Sequence, residues 1–178
     1  PLQPEQDYWL EVGGHVDNLN LYASQVFHFQ SDNQTLDLNN GLVAYYPLNG
    51  DTNDGGPNGL NGTNTSAVKT KDRFDQLENA YSFGTNSYVN VPHNSLLNLT
   101  NNFSLSAWIY PTNPTGQELQ GIISKYNSTG ASTFTFRLWN GNLNLAGASS
   151  PSCSAPVTAK QWVLATAIIH TSNSADLY

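Results

Sequence analysis

The chain has one cysteine, no methionine and six basic residues among its 178 positions. A single cysteine, Cys153, rules out an intrachain disulfide and any thiolate metal cluster. Its surroundings, PSCSAP, offer no base to lower a thiol pKa, so Cys153 reads as a packing residue rather than a nucleophile. Against the six Lys and Arg stand 13 Asp and Glu, for a net charge of −7. Such a chain repels nucleic acid and anionic membrane surfaces, and neither is expected as a partner. Charged residues make up 11% of the sequence, less than half of the roughly 25% found in ordinary soluble domains. No apolar run approaches the roughly 18 residues of a membrane-spanning helix. The opening, PLQPEQDYWL, has neither a basic n-region nor an apolar h-region, so any signal peptide is expected to have been removed already.

Asn, Ser, Thr, Gly and Gln take the place of charge. Helix surfaces draw on Ala, Leu, Glu, Lys and Arg, which rarely follow one another here. Asn, Gly and Ser favour turns, whereas Thr, Tyr, Phe, Val and Trp suit strands. Aromatic residues, at 11%, argue against disorder. The balance is all-β, and the length suits one domain with a buried core. Six N-x-S/T sequons occur, at Asn33, Asn61, Asn64, Asn98, Asn102 and Asn127. With 23 Asn and 32 Ser plus Thr in 178 residues, chance alone supplies about four of these acceptor motifs. The sequons are compatible with glycosylation without demonstrating it.

Residues 1–40 read as an arm, with one strand-like piece at residues 15–22 (HVDNLNLY) and another at residues 25–29. Residues 31–40, SDNQTLDLNN, are polar and turn-forming, as a linker would be. From Gly41 onward strands are predicted at residues 41–48, 80–83, 88–91, 103–110, 121–126, 133–139, 142–145 and 162–170, with a long Gly/Asn/Asp loop at residues 49–65. The clearest is residues 103–110, where Phe103, Leu105, Ala107 and Ile109 alternate with Ser104, Ser106, Trp108 and Tyr110. Asn140-Gly141 marks a hairpin, since this pair supplies the two positive φ angles of a type I′ turn. Short strands with turn residues about every ten positions predict a two-sheet antiparallel β-sandwich, a jelly roll to which the arm adds one or two strands.

These residues also carry a family resemblance. GLVAYYPLNG at residues 41–50, then Asn53-Asp54 and Pro57-Asn58-Gly59, resembles the opening of laminin-G-like, concanavalin A-like lectin/glucanase (pentraxin-like) jelly-roll domains. Lys71-Asp72-Arg73-Phe74, Ala80-Tyr81-Ser82-Phe83, Ser87-Tyr88-Val89-Asn90-Val91, Leu97-Asn98-Leu99 and the strand from Phe103 to Ile109 are similar to the stretches that follow. Ile122-Ile123-Ser124-Lys125 and Trp162-Val163-Leu164-Ala165 continue in the family's order. The resemblance covers residues 41–178 and implies a module of secreted multidomain adhesins and carbohydrate-active proteins. In the family, a segment like Ala175-Asp176-Leu177-Tyr178 leads into further strands, whereas residues 15–24 (HVDNLNLYAS) resemble the family's closing strand. Three arrangements follow: an arm left from a preceding repeat, an arm pairing within its own domain, or an arm pairing with a neighbouring copy. Unpaired sheet edges are avoided or used for assembly, so strand exchange into an extracellular filament is one expectation.

Catalysis has little support. Glycosidases need two carboxylates flanking the scissile bond, and the glucanases of the resembling family place theirs as Glu-x-Asp-x-(x)-Glu on one strand. The nearest text, Glu5-Gln6-Asp7-Tyr8-Trp9-Leu10-Glu11, sets its last acid too far along and lies in the arm. His15, His28, His93 and His170 lack metal-binding spacing, and no nucleophile elbow or phosphate loop occurs. Asp51, Asn53, Asp54 and Asn58 put hard oxygen ligands in a Gly-rich loop, which suits either Ca²⁺ or a solvated Asx-rich turn. Sugar recognition calls for an aromatic platform beside amides and charged groups. Trp108, Tyr110, Arg137, Trp139 and Asn140 are the candidates, with core packing of the aromatics and a surface ion pair for Arg137 as the alternatives. The sequence therefore predicts a secreted, non-catalytic glycan- or surface-recognition module. A filament subunit and an accessory domain of a glycoside hydrolase are the competing readings.

Overall fold

The computed structural model describes residues 7–16, 21–30, 40–99, 102–115, 119–126, 132–147, 150–170 and 174–178. The chain divides into two compact units, Pro1–Gly41 and Leu42–Tyr178. In the first, β1 (Asp7–Val16) pairs antiparallel with β2 (Leu21–Gln30), in a register running from Asp7 opposite Gln30 to Val16 opposite Leu21. The single strand expected over residues 15–22 is thus divided between two strands that face each other. Asn33 and most of the predicted linker lie outside the described residues.

The second unit opens with two short ladders. β3 (Thr63–Thr65) pairs with β6 (Tyr88–Asn90), and β4 (Val68–Thr70) pairs with β5 (Ala80–Ser82). A 3₁₀ turn at Ser95–Leu97, capped by the Asn94 side chain accepting from the Leu96 N–H, leads to β7 (Phe103–Ile109). Next come β8 (Gln120–Tyr126), β9 (Ser132–Trp139), β10 (Asn142–Gly147), β11 (Ser150–Pro156), β12 (Val163–Ile169) and β13 (Ala175–Leu177). Two larger sheets result, one ordered β11-β10-β9-β8 and one ordered β13-β12-β7.

Alternation decides which faces close on each other. Phe134, Phe136 and Leu138 of β9 lie on the same face as Leu143 and Leu145 of β10, with Leu143 opposite Leu138 and Leu145 opposite Phe136. The other sheet contributes Leu105 of β7 with Ala165, Ala167 and Ile169 of β12 to the same cluster. Phe136, Leu145, Ala165 and Ala167 are completely buried. Small Ala165 and Ala167 beside large Phe136 and Leu145 let the two layers interdigitate. Phe103 and Phe134 add an inter-sheet aromatic pair with centroids 5.4 Å apart. This is the predicted all-β sandwich.

β3, β4, β11 and β13 have no counterpart among the predicted strands of this unit, and one predicted strand is absent. Residues 41–48, predicted as a strand, form no ladder. The Leu42 and Val43 carbonyls accept instead from the Asn58 side-chain amide, at 3.4 and 2.8 Å, and the Tyr45 N–H donates to the Asp54 carboxylate at 2.9 Å. Pro47 has no N–H to offer a ladder, and Leu48 sits at φ 56°, so the segment is a loop held by side chains. Conversely, β11 escaped notice because Pro151 and Pro156 argue against a strand. It lies at the edge of its sheet, where a missing N–H is tolerated.

Phe136→Ala is expected to lower the unfolding free energy of the sandwich by about 4 kcal/mol, the scale for emptying a fully buried phenylalanine site. Exposed Ser104→Ala is expected to stay within about 0.5 kcal/mol. Urea denaturation measures both; a loss below about 1 kcal/mol for Phe136→Ala would show that the sheets do not close over that ring.

Candidate functional site

The sequence-predicted ligand residues separate onto the two outward faces of the sandwich. Trp108 and Tyr110 belong to the β13-β12-β7 side, and Arg137, Trp139 and Asn140 to the β11-β10-β9-β8 side. On the first side the aromatic surfaces already have protein partners. The Arg73 guanidinium lies 4.7 Å from the Trp108 ring centroid and 4.4 Å from that of Phe74. Arg73 is carried there by a turn built on Asp72, whose carboxylate accepts from the Phe74 and Gln76 N–H groups at 2.8 and 3.0 Å. Tyr110 packs edge-on against Trp162, with centroids 5.6 Å apart.

On the second side an equally exposed tryptophan stands beside several fixed polar groups. Trp139 ends β9 and is 48% exposed. The next two residues, Asn140 at φ 50° and Gly141 at φ 81°, make the predicted I′-type turn, and the Gly141 N–H donates to the Pro114 carbonyl at 2.7 Å. The hairpin tip, and Trp139 with it, is thereby fixed against the loop that follows β7. Arg137 sits two residues back on the same face, its guanidinium 5.5 Å from the Trp139 centroid. Its Nε donates to Asn144 Oδ1 at 2.9 Å across the β9–β10 ladder. Asn144 is buried, and its Nδ2 donates to the Cys153 carbonyl on β11 at 3.1 Å. Among the described residues no carboxylate pairs with Arg137; an amide and an indole ring hold the guanidinium.

Across the β8–β9 ladder Arg137 faces Gly121. A register shift between Gly121 and Ile123 sends Ile123 opposite Phe136 toward the core, so Gly121 and Ser124 both stay on the outward face. Among the described residues a Cβ at Gly121 would meet only Ser124 Oγ, at 3.8 Å, and Gly121 itself is exposed. With Asn142 opposite Trp139 and Ser154 opposite Asn144, the face carries an aromatic ring, a guanidinium, amides and hydroxyls. Sequence reasoning missed Gly121, Ser124, Asn142, Asn144 and Ser154. The run Asn142-Leu143-Asn144-Leu145, whose leucines alternate with amides, is the signal that would have found the two asparagines.

Asp51, Asn53, Asp54 and Asn58 do come together, but as hydrogen-bond partners within the loop. Asp54 Oδ1 accepts from the Tyr45 and Gly56 N–H groups at 2.9 and 2.8 Å, and Oδ2 accepts from the Leu60 N–H at 2.8 Å. Asp51 accepts from the Asn53 N–H and Nδ2, both at 2.9 Å. Asn58 turns its Nδ2 toward carbonyls. N–H donors engage these oxygens, and among the described residues no three His, Cys, Asp or Glu side chains gather to hold a metal. The loop closes through Gly62, whose N–H donates to the Thr52 carbonyl; a Cβ there would meet Val89 Cγ1 at 2.5 Å.

The sequons sit in different surroundings. Asn61 Oδ1 accepts from the Asp54 N–H at 3.0 Å, and Asn64 exchanges two hydrogen bonds with the Ala67 backbone. Asn98 and Asn102 are exposed. Asn127, like Asn33, lies outside the described residues.

Two antiparallel sheets closed on one core define a β-sandwich class of domain. A family model described as the Concanavalin A-like lectin/glucanases superfamily, of laminin-G type, matches residues 83–178, more than half of the chain. The chain belongs to that superfamily. No curated protein and no solved structure matches it. Among the described residues no helix is long and apolar enough to cross a membrane.

Burial pushes the Asp54 carboxyl upward, but the N–H groups of Tyr45, Leu60 and Gly56 outweigh it and hold the carboxyl below its usual value. Its contribution to stability is therefore complete above the unfolded value near 3.9 and is lost as pH falls through the lower folded value. Asp54→Asn is expected to destabilise the unit by roughly 1 kcal/mol at pH 7, given the loop's exposure. It should also flatten the acid limb of a urea-midpoint profile. An unaltered acid limb would show that the three N–H groups do not depend on this carboxylate.

Proposed function

We propose that the chain is a secreted, non-catalytic carbohydrate-recognition module whose sugar site is the outward face around Trp139, Arg137, Asn142 and Gly121. The observation that carries this reading is the half-exposed Trp139 ring, held by a docked hairpin beside a guanidinium and amides that are themselves fixed. Sugar rings present apolar C–H faces rimmed by hydroxyls, so a flat indole next to directional donors and acceptors suits them. Superfamily membership supports the same class of ligand. The low charge of the chain favours hydrogen bonding to polyhydroxyl ligands over electrostatic capture.

Trp139→Ala is expected to weaken glycan binding about tenfold or more on an array of immobilised glycans, the scale of losing one stacking platform. Trp108→Ala, on the opposite side, is expected to leave binding within about twofold, and chelator is expected to have no effect. Equal losses for the two tryptophan variants, with both shown to be folded, would move the site away from this face.

One observation favours a second reading. The ten-residue strands β1 and β2 form a unit of their own and, among the described residues, pair with each other alone. Hairpin edges that accept further strands would make the chain an extracellular filament subunit. Sedimentation of the whole chain and of a chain lacking residues 1–40 tests this. Assembly confined to the longer form supports it; identical monomers sink it.

A further inference from the structure

We infer that the sugar recognised at the Arg137 face is acidic, with one carboxylate seated on the terminal Nη groups of Arg137. This rests on the carbohydrate reading of that face and names the class of sugar it takes.

Of the guanidinium's five N–H groups, one is committed: Nε donates to Asn144 Oδ1. Asn144 is buried, and its own N–H donor is tied to the Cys153 carbonyl, so its oxygen is the atom turned toward Arg137. The Trp139 ring fixes the guanidinium from another direction. Among the described residues no carboxylate pairs with it. The two Nη groups thus end a pre-positioned fork, the geometry that binds a carboxylate through two parallel hydrogen bonds. Gly121, directly across on β8, leaves room for the ring that bears the carboxylate.

Of the other five basic residues, Lys160 is a single ammonium in an exposed turn, and the rest are engaged elsewhere. Lys69 and Lys71 pair with Glu78 and Asp75, Arg73 lies over Phe74 and Trp108, and Lys125 meets His93 Nδ1 at 3.0 Å. One positioned cation on a chain of net charge −7 selects a sparsely charged ligand rather than a sulfated polymer or another polyanion. The trait is therefore local: one carboxylate, one guanidinium, one stacking ring.

The test is titration calorimetry on the intact chain with three oligosaccharides of one backbone. Their terminal residue is a neutral hexose, the corresponding hexuronate, or the methyl ester of that hexuronate. The hexuronate is expected to bind about tenfold tighter than either neutral partner, a preference that shrinks with added salt. Arg137→Gln is expected to abolish the preference, with neutral-sugar affinity also falling through the lost donor, and Arg137→Lys to retain only part of the preference. Urea midpoints confirm that each variant is folded. Equal binding of acid and ester by the native chain would overturn the acidic assignment and leave the sugar site standing. A preference that survives Arg137→Gln would overturn the role of Arg137. No binding of any of the three would overturn the carbohydrate reading itself, and the acidic assignment with it.

Discussion

Closure of one sheet on the other across Phe136, Leu145 and Ile169 is the constraint on which the rest of the sandwich depends. With one cysteine the chain has no intrachain disulfide to restrict its unfolded state, and among the described residues ion pairs are few, so burial of apolar side chains must carry most of the stability. The alternation that hides these side chains also fixes every outward position. Once Leu138, Phe136, Leu143 and Leu145 face the core, Trp139, Arg137, Asn142 and Asn144 must face away from it. The candidate site follows from the core by parity.

Polar order rests on side-chain-to-backbone hydrogen bonds rather than on ion pairs. Asp54, Asp72, Asn58 and Asn64 each hold backbone groups that no ladder reaches, and Asn144 does the same between strands. These side chains close short rings with the main chain and give loops the definition that elsewhere comes from metals or ion-pair networks. The same economy of charge shapes the outward face, where one guanidinium stands among amides and hydroxyls.

Much of this was legible in the sequence because period-2 alternation leaves little choice of face. Residues 103–110 and 162–170 announced β7 and β12, and Asn140-Gly141 announced its hairpin. Where the reading failed, a local signal met a tertiary one. Residues 41–48 look like a strand, but Asn58 and Asp54, more than nine residues away in the case of Leu42 and Val43, supply the partners that a ladder would have supplied. Pro151 and Pro156 obscured β11 because sequence alone does not reveal which strand ends at an edge. The separation of Trp108 from Trp139 was illegible for the same reason: both point away from the core, and only the pairing order places them on opposite sides.

Cys153 takes on an unexpected use in this setting. Its carbonyl anchors Asn144, while its thiol is half-buried; burial and the Asp176 charge push the thiol pKa up, against a lowering contribution from the Leu145 N–H. A thiol held in that protonated state reacts slowly with alkylating reagents while β10 and β11 stay paired. As the chain has no other sulfur atom, the rate of its alkylation is a native clock for transient opening of that edge, read without any introduced label.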